Sequence, residues 1–294
     1  LPSINVGVSS LTPFASKTGS NQKWYQQLRL SYSGNMANSI QTKDSILFSD
    51  RYKEALDDFK SGVSHSIPLS TNIKLFSGIL NISPSMNYRE NWHFNARFQS
   101  TDPLTNKIIY RDTNGLFRQY AYSFSASAKT NIYGTLTNLK WGKVQALRHT
   151  ITPTLALSYA PDIDAMLKGW TRSYTDTSGR VINYNFFSNS PMGSINQNRA
   201  GTISYGLNNN IQGKKVISTD SLGKSKTEKF NIIDQFNLSG SYNIFADSLK
   251  FSDVRMSFNT VLFKVIRINA NSNFSPYIRS ETGRTINKFS AMEN

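Results

Sequence analysis

The stretch LNISPSMNYRENWHFNARFQ, residues 80–99, decides the fold class of this 294-residue chain. Its even positions carry mostly apolar residues, and its odd positions carry Asn, Ser, Arg, His and Gln. Because the side chains of a β-strand alternate between two faces, the stretch separates an apolar face from a polar face over about twenty residues. The pattern therefore predicts one long strand that lies between two different media.

The same alternation recurs along the chain and predicts about ten strands. These predicted strands begin near Ile4, Leu28, Ile67, Leu80, Tyr120, Ile151, Ile203, Phe236, Val254 and Ile266. Each is at least as long as a tilted membrane crossing, which needs about 9 to 11 residues.

The connections between the predicted strands alternate in length. Mostly shorter ones fall at residues 11–22, 76–78, 135–145, 213–229 and 263–264, and mostly longer ones at 36–61, 100–116, 161–197 and from 278 onward. Such alternation is typical of an antiparallel outer-membrane barrel with long extracellular loops. Helical spacing of apolar residues predicts a helix at 48–59, and the segment TSGR predicts a small hairpin within residues 170–187.

Composition narrows the fold class further. Only 38% of the residues are hydrophobic, whereas 12% are aromatic, so the chain does not have the composition of a disordered protein. It contains no apolar run of about 18 residues, which leaves a closed β-barrel as the way in which this chain would span a membrane. It also contains no Cys, which excludes disulfides and thiolate metal sites.

The polar face distinguishes a membrane barrel from a soluble β-sandwich. It carries mainly Ser, Asn, Thr, Gln and Gly instead of Lys, Glu and Asp, as expected of a water-filled lumen. Six cationic side chains have the polar parity: Arg29, Lys74, Arg97, Lys129, Arg255 and Arg267. Since Arg or Lys facing lipid costs about 2 to 4 kcal/mol at the bilayer midplane, this placement favours the barrel.

We therefore expect an all-β protein, an antiparallel transmembrane β-barrel or a large part of one, with residues 1–294 forming a single domain. The net charge of +15 raises nucleic acid as a partner, but Lys and Arg are scattered singly, so we expect no nucleic-acid binding. A hydrolase needs a nucleophile beside a base. His65, His93 and His149 are the three histidines, and His93 has no acidic neighbour on its face, so we expect no catalytic, metal or cofactor site. A passive porin or nutrient channel remains an alternative.

The segment ALRHTITPTLALSYAPD, residues 146–162, resembles the barrel of the lipopolysaccharide-assembly protein family (LptD). The segments GVSHSIPLSTNIKLF and NLSGSYNIFADSLKFSDVRMSFNTVLFKVIRINANSNFSPY are similar to the version of that family found in Bacteroidetes-type bacteria. The resemblance implies a bacterial outer-membrane translocon that inserts lipopolysaccharide into the outer leaflet.

Further expectations follow from this resemblance. In the family a periplasmic domain passes the lipid to a large barrel, so we expect this chain to be a barrel fragment without that domain and without the closing strands. The implied partners are lipopolysaccharide, outer-membrane lipid, a plug lipoprotein of the LptE type and periplasmic bridge proteins. Because Arg and Lys form charge-assisted bonds to phosphate, the candidate contacts to lipopolysaccharide are Arg29, Lys74, Arg89, His93, Arg97, Lys129, Arg255 and Arg267.

Overall fold

The protein is all-β, as the sequence predicts. A computed structural model describes residues 2–16, 23–43, 46, 49, 50, 53, 59–105, 107–167, 169–176, 178–195, 198–219, 225–262 and 265–290. Within these residues, no helix has the length and apolar character needed to cross a membrane. The helix predicted at 48–59 falls mainly on residues outside the described part of the chain.

Twelve strands form one antiparallel sheet. The described residues form sixteen strands in all: β1 (Ile4–Leu11), β2 (Arg29–Ser39), β3 (Lys60–Ser70), β4 (Ile73–Leu75), β5 (Leu80–Thr101), β6 (Ile108–Thr130), β7 (Ile132–Trp141), β8 (Val144–Ala160), β9 (Thr171–Thr175), β10 (Val181–Asn185), β11 (Ala200–Thr219), β12 (Ser225–Asn243), β13 (Val254–Leu262), β14 (Ile266–Phe274), β15 (Tyr277–Arg279) and β16 (Thr285–Phe289). The hydrogen-bonded order β1-β2-β3-β5-β6-β8-β11-β12-β13-β14 contains ten strands, one for each predicted strand, and the short β4 and β7 bring the sheet to twelve. β4 pairs with β5 and β7 with β8, while β9–β10 and β15–β16 form two separate hairpins.

The register of the sheet keeps like residues together. Leu207 lies opposite Leu238, and the next pair, Asn208 and Asn237, is polar on both strands. Because directly opposed residues share a face, these pairs continue the apolar face and the polar face from β11 to β12. The predicted separation into an apolar and a polar face is therefore present in the sheet.

Several predicted connections are wrong, because the strands continue through them. Residues 108–116 belong to β6, and residues 213–219 and 225–229 belong to β11 and β12. These segments lack apolar alternation, but ladder hydrogen bonds require only backbone groups. The predicted connection at 135–145 is likewise mostly strand, and the chain reverses at Gly142, whose φ of 56° suits glycine.

The predicted long connection at 161–197 is confirmed as a segment that joins β8 to β11. It contains a five-residue helix, α1 (Ile163–Leu167), and the hairpin β9–β10. Asp176 N donates a hydrogen bond to Arg180 O at 2.9 Å, so the chain reverses between these two residues, which confirms the predicted small hairpin.

The chain divides into two compact units. The first consists of Leu1–Thr71, Ser85–Phe124 and Ala160–Arg199, and the second of Asn72–Pro84, Ser125–Tyr159 and Ala200–Asn294. The apolar cluster of the first unit contains the buried residues Ala96, Ile163, Trp170, Phe186 and Phe187. In the second unit the ring of Tyr277 stacks on Phe289, with the ring centroids 5.4 Å apart.

Candidate functional site

Residues that are mostly small and polar form a continuous surface across four strands of the first unit. The ladders β1–β2, β2–β3 and β3–β5 place two sets of residues directly opposite one another. The first row is Asn5, Asn35, Ser64 and Asn91, and the second is Gly7, Ser33, Ser66 and Arg89. We term these eight residues the polar floor. They line a cavity of about 810 Å³.

The cavity is lined mainly by neutral hydrogen-bonding groups, and it contains one positively charged side chain. Asn and Ser side chains supply both donors and acceptors. Arg89 is the one Lys, Arg, Asp or Glu among the described lining residues. Its planar guanidinium suits bidentate contact with a phosphate or carboxylate. The cavity therefore fits a molecule that has many hydroxyls and some anionic groups.

The opposite face of the same strands is aromatic. Tyr32 Oη lies 2.9 Å from His65 Nδ1 and forms a hydrogen bond with it. The ring of His65 packs on Trp92, with centroids 4.4 Å apart. His65 thus lies on the apolar face, as its parity predicts, and serves there as a packed aromatic residue.

A charged pair on this aromatic face is the residue-level feature that sequence reasoning missed. Glu90 is 7% exposed and accepts hydrogen bonds from Tyr88 Oη at 2.5 Å and Trp92 Nε1 at 2.7 Å. Arg118 Nε also donates to Glu90, at 2.5 Å. The even parity of Glu90 within an otherwise apolar set is the signal that would have revealed it, since a buried carboxylate requires partners.

A second element covers part of the polar face beside the floor. Residues 186–195, which we term the cover segment, follow β10 and lie against β5 and β6. Arg97 N donates to Phe186 O at 2.9 Å. This bond lies beyond the end of β3, whose ladder with β5 runs from Ser70 opposite Ser85 to Gly62 opposite His93. The cover segment was not predicted as a separate element.

Buried polar side chains of β5 and β6 hold the cover segment. His93 Nδ1 lies 2.7 Å from Ser190 Oγ, and the His93 ring stacks on Phe187 with centroids 4.0 Å apart. Gln119 accepts from Ile195 N at 2.7 Å and donates to Ile195 O at 3.2 Å. Because His93 and Gln119 are both 0% exposed, the cover segment removes them from solvent completely.

The structure brings only some of the candidate contacts to the cavity. Arg89 lies in the polar floor, whereas His93 lies beneath the cover segment. Arg97 donates to both carboxylate oxygens of Asp112, at 2.7 and 2.6 Å. Arg29 lies opposite Ser70 and does not line the cavity. Their roles as contacts to lipopolysaccharide stay predictions.

The other four candidates belong to the second unit. Arg255 lies opposite Ser239 and Asn273, which gives it polar neighbours on its face. Arg267 lies opposite Val261. Lys74 on β4, opposite Asn81, and Lys129 on β6 are exposed. Their contacts to a ligand are likewise predictions.

The histidines have structural contacts. His149 Nε2 lies 3.1 Å from the Asn209 side-chain oxygen, His65 pairs with Tyr32, and His93 pairs with Ser190. Within the described ranges, no group of three or more His, Asp or Glu side chains is arranged to hold a metal ion.

Comparison with known proteins agrees with this architecture. No curated protein and no solved structure gives a significant match to the chain. The family described as LptD protein matches residues 1–277. That match covers the polar floor, the cover segment and the ten-strand path. This match over most of the chain, which the sheet with one aromatic and one polar face agrees with, shows that the chain belongs to the LptD protein family, which acts in lipopolysaccharide transport and assembly.

Proposed function

We propose that the chain is part of an outer-membrane translocon barrel that inserts lipopolysaccharide into the outer leaflet, with the saccharide and phosphate groups moving along the polar floor. The role is transport, without a catalytic step, in keeping with a family that is not an enzyme family. The proposed partners are lipopolysaccharide, a plug lipoprotein of the LptE type and periplasmic bridge proteins.

The polar floor is the observation that supports this proposal best. Its Asn and Ser side chains offer donors and acceptors to sugar hydroxyls, and Arg89 offers a charge-assisted bond to phosphate. Lipopolysaccharide carries both groups. The aromatic face on the other side of the same strands suits contact with lipid at the membrane interface.

Photocrosslinking in cells tests the proposal. A photoreactive amino acid is placed at Ser66, which lies opposite Arg89 in the floor. We expect it to capture lipopolysaccharide during active synthesis. The matched control is Ile67, the next residue of β3, which lies opposite Tyr88 on the other face.

Capture at Ser66 that exceeds capture at Ile67 supports movement of lipopolysaccharide along the floor. Equal capture at the two positions, or capture at Ile67 alone, contradicts it. If Ser66 captures no lipopolysaccharide while the purified protein conducts ions across planar bilayers, the passive channel replaces the translocon as the function.

A further inference from the structure

The cover segment occupies polar surface beside the floor. Gln119 binds the backbone of Ile195, and Ile195 itself lines the cavity. Asn91, a residue of the floor, donates from Nδ2 to Gly193 O at 3.4 Å. In this arrangement, amide groups that suit sugar hydroxyls are bonded to the chain itself.

The two ends of the cover segment are held by different forces. Phe186 and Phe187 belong to the buried apolar cluster with Ala96, Ile163 and Trp170. Phe186 also stacks on Phe98, with centroids 5.5 Å apart. This end is a root that would expose aromatic surface to water if it detached.

Residues 188–195 form the tip of the cover segment, and hydrogen bonds hold it. His93, Gln119 and Asn91 supply these bonds, and on the side of the tip the partners of the two amides are backbone groups. Water or sugar hydroxyls replace such bonds at little net cost, because a hydrogen bond within a protein is exchanged for one to solvent. The tip is therefore held less strongly than the root.

The tip packs closely against Gly62, which has no side chain. A Cβ atom at this position would lie 2.7 Å from Met192 Cγ and 3.4 Å from Ser190 Oγ. Gly62 lies opposite His93 on the ladder between β3 and β5. Any larger side chain at position 62 would push against the tip.

We propose that residues 188–195 are a movable cover, which swings about the Phe186–Phe187 root, releases the Asn91 amide of the polar floor, and uncovers His93 Nδ1 and Gln119 as a carbohydrate-binding extension of that floor. The inference rests on the proposed function and adds its regulation. In the covered state the backbone of the tip occupies the hydrogen-bonding groups that a saccharide occupies in the uncovered state.

A disulfide lock tests the movement. The double substitution Gly62→Cys and Met192→Cys joins β3 to the tip in a chain that has no other Cys. Contact between Met192 Cγ and the Cβ position of residue 62 brings the two residues within the reach of a disulfide, whose Cβ atoms lie about 3.5–4.5 Å apart. The full-length protein carrying the pair is the sole copy in the cell.

We expect oxidation to lower the arrival of new lipopolysaccharide at the cell surface at least fivefold and a reductant to restore it. The control pair is Asn38→Cys with Ser61→Cys, two residues directly opposite on β2 and β3, on the other face of the sheet from Gly62. Its oxidation should leave delivery unchanged. Mass spectrometry measures how completely each disulfide forms.

Ion conductance of the purified protein in planar bilayers separates the cover from the proposed function. If the lock lowers conductance reversibly while even the wild-type protein delivers no lipopolysaccharide, the cover moves and the proposed function fails. If complete disulfide formation changes neither delivery nor conductance, the movable cover is overturned.

A wedge variant gives an independent measurement. Gly62→Ala places a methyl group against Met192, whereas Gly134→Ala adds one where nothing lies within 4 Å. We expect hydrogen exchange at Gly193 and Ile195 to rise several-fold in Gly62→Ala alone. Unchanged exchange at these two amides would mean that the tip is rigidly fixed, against the proposal.

Discussion

The buried carboxylate of Glu90, on the aromatic face, accepts hydrogen bonds from three side chains. Replacing Glu90 with Ala leaves Tyr88, Trp92 and Arg118 without their shared acceptor. We expect Glu90→Ala to lower the free energy of unfolding by about 1–3 kcal/mol, because three partly exposed donors lose their hydrogen bonds to a charged acceptor. Urea-induced unfolding in detergent micelles, followed by tryptophan emission, measures the change.

Glu90→Gln is the matched control, since its amide oxygen still accepts hydrogen bonds although its charge is gone. It should lose clearly less free energy than Glu90→Ala. Equal losses would mean that the charge of the pair with Arg118, and not the shared acceptor, stabilises this face.

Gly34 gives a second prediction for a single residue. A Cβ atom at this position would lie 2.6 Å from Tyr32 Oη, the group that bonds to His65. Gly34→Ala therefore displaces Tyr32 and breaks this bond, at a cost of about 1 kcal/mol. Gly7→Ala on the neighbouring strand meets nothing within 4 Å and should change stability by less than about 0.5 kcal/mol in the same assay.

At the scale of elements, alternation predicts where strands lie but not where they end. The ten-strand path follows the apolar periodicity, because every paired residue faces one medium or the other. The end of β11 is different, since Lys214 and Lys215 interrupt the pattern and the sequence therefore predicts a connection there. The ladder continues there because it requires only backbone hydrogen bonds. It brings Lys215 Nζ within 3.2 Å of Glu228 Oε2 on β12, a contact that becomes visible only once the register is known.

The cover segment could not be predicted for a related reason. Its residues follow no period of 2 or 3.6, so no strand or helix is expected from them. Two adjacent phenylalanines, Phe186 and Phe187, were the available signal of burial in an otherwise polar connection. Their partners Ala96 and Phe117 lie about 70 to 90 residues away in the sequence, and no local pattern connects them.

Asp164 gives the prediction for an element, the connection that carries the cover segment. Burial raises the pKa of Asp164, but hydrogen bonds from Thr171 and from Trp170 N outweigh it, so the pKa lies below the ordinary aspartate value. A lowered pKa stabilises the folded connection above the unfolded value of about 3.9, and this stabilisation disappears as the pH falls through the folded pKa. We expect the amides of Trp170 and Thr171 to lose protection several-fold below about pH 4.

Hydrogen exchange, corrected for the intrinsic effect of pH, measures this loss. Asp164→Asn should have lower protection at neutral pH and no additional loss in acid. Asp176→Asn, in the hairpin turn of the same connection, should retain the acid response at Trp170, because Asp176 bonds only locally to Ser178 and Arg180. An acid response that survives in Asp164→Asn would assign it to another group.

At the scale of the whole molecule, the proposed transport of lipopolysaccharide depends on the positive charge of Arg89 in the polar floor. We expect Arg89→Gln to reduce photocapture of lipopolysaccharide at Ser66 about tenfold, because it removes a charge-assisted bond worth roughly 1.5 kcal/mol or more. Arg89→Lys should recover part of the capture, since it keeps the charge without the bidentate geometry.

Arg284→Gln removes the same charge next to β16 in the second unit and serves as the control. It should leave capture unchanged. A decrease of the same size in Arg284→Gln would assign the effect to the net charge of the protein, which is +15, and not to the floor.

The two rows of the polar floor differ from a tight binding pocket because they repeat similar side chains from strand to strand. Asn5, Asn35, Ser64 and Asn91 repeat nearly the same short side chain at each strand, about 4.8 Å apart. A sugar chain that moves one strand onward meets almost the same set of donors and acceptors that it has left. In the proposed function, the free energy of a bound sugar chain therefore changes little with position, and the floor binds the chain at successive positions without one strongly preferred site.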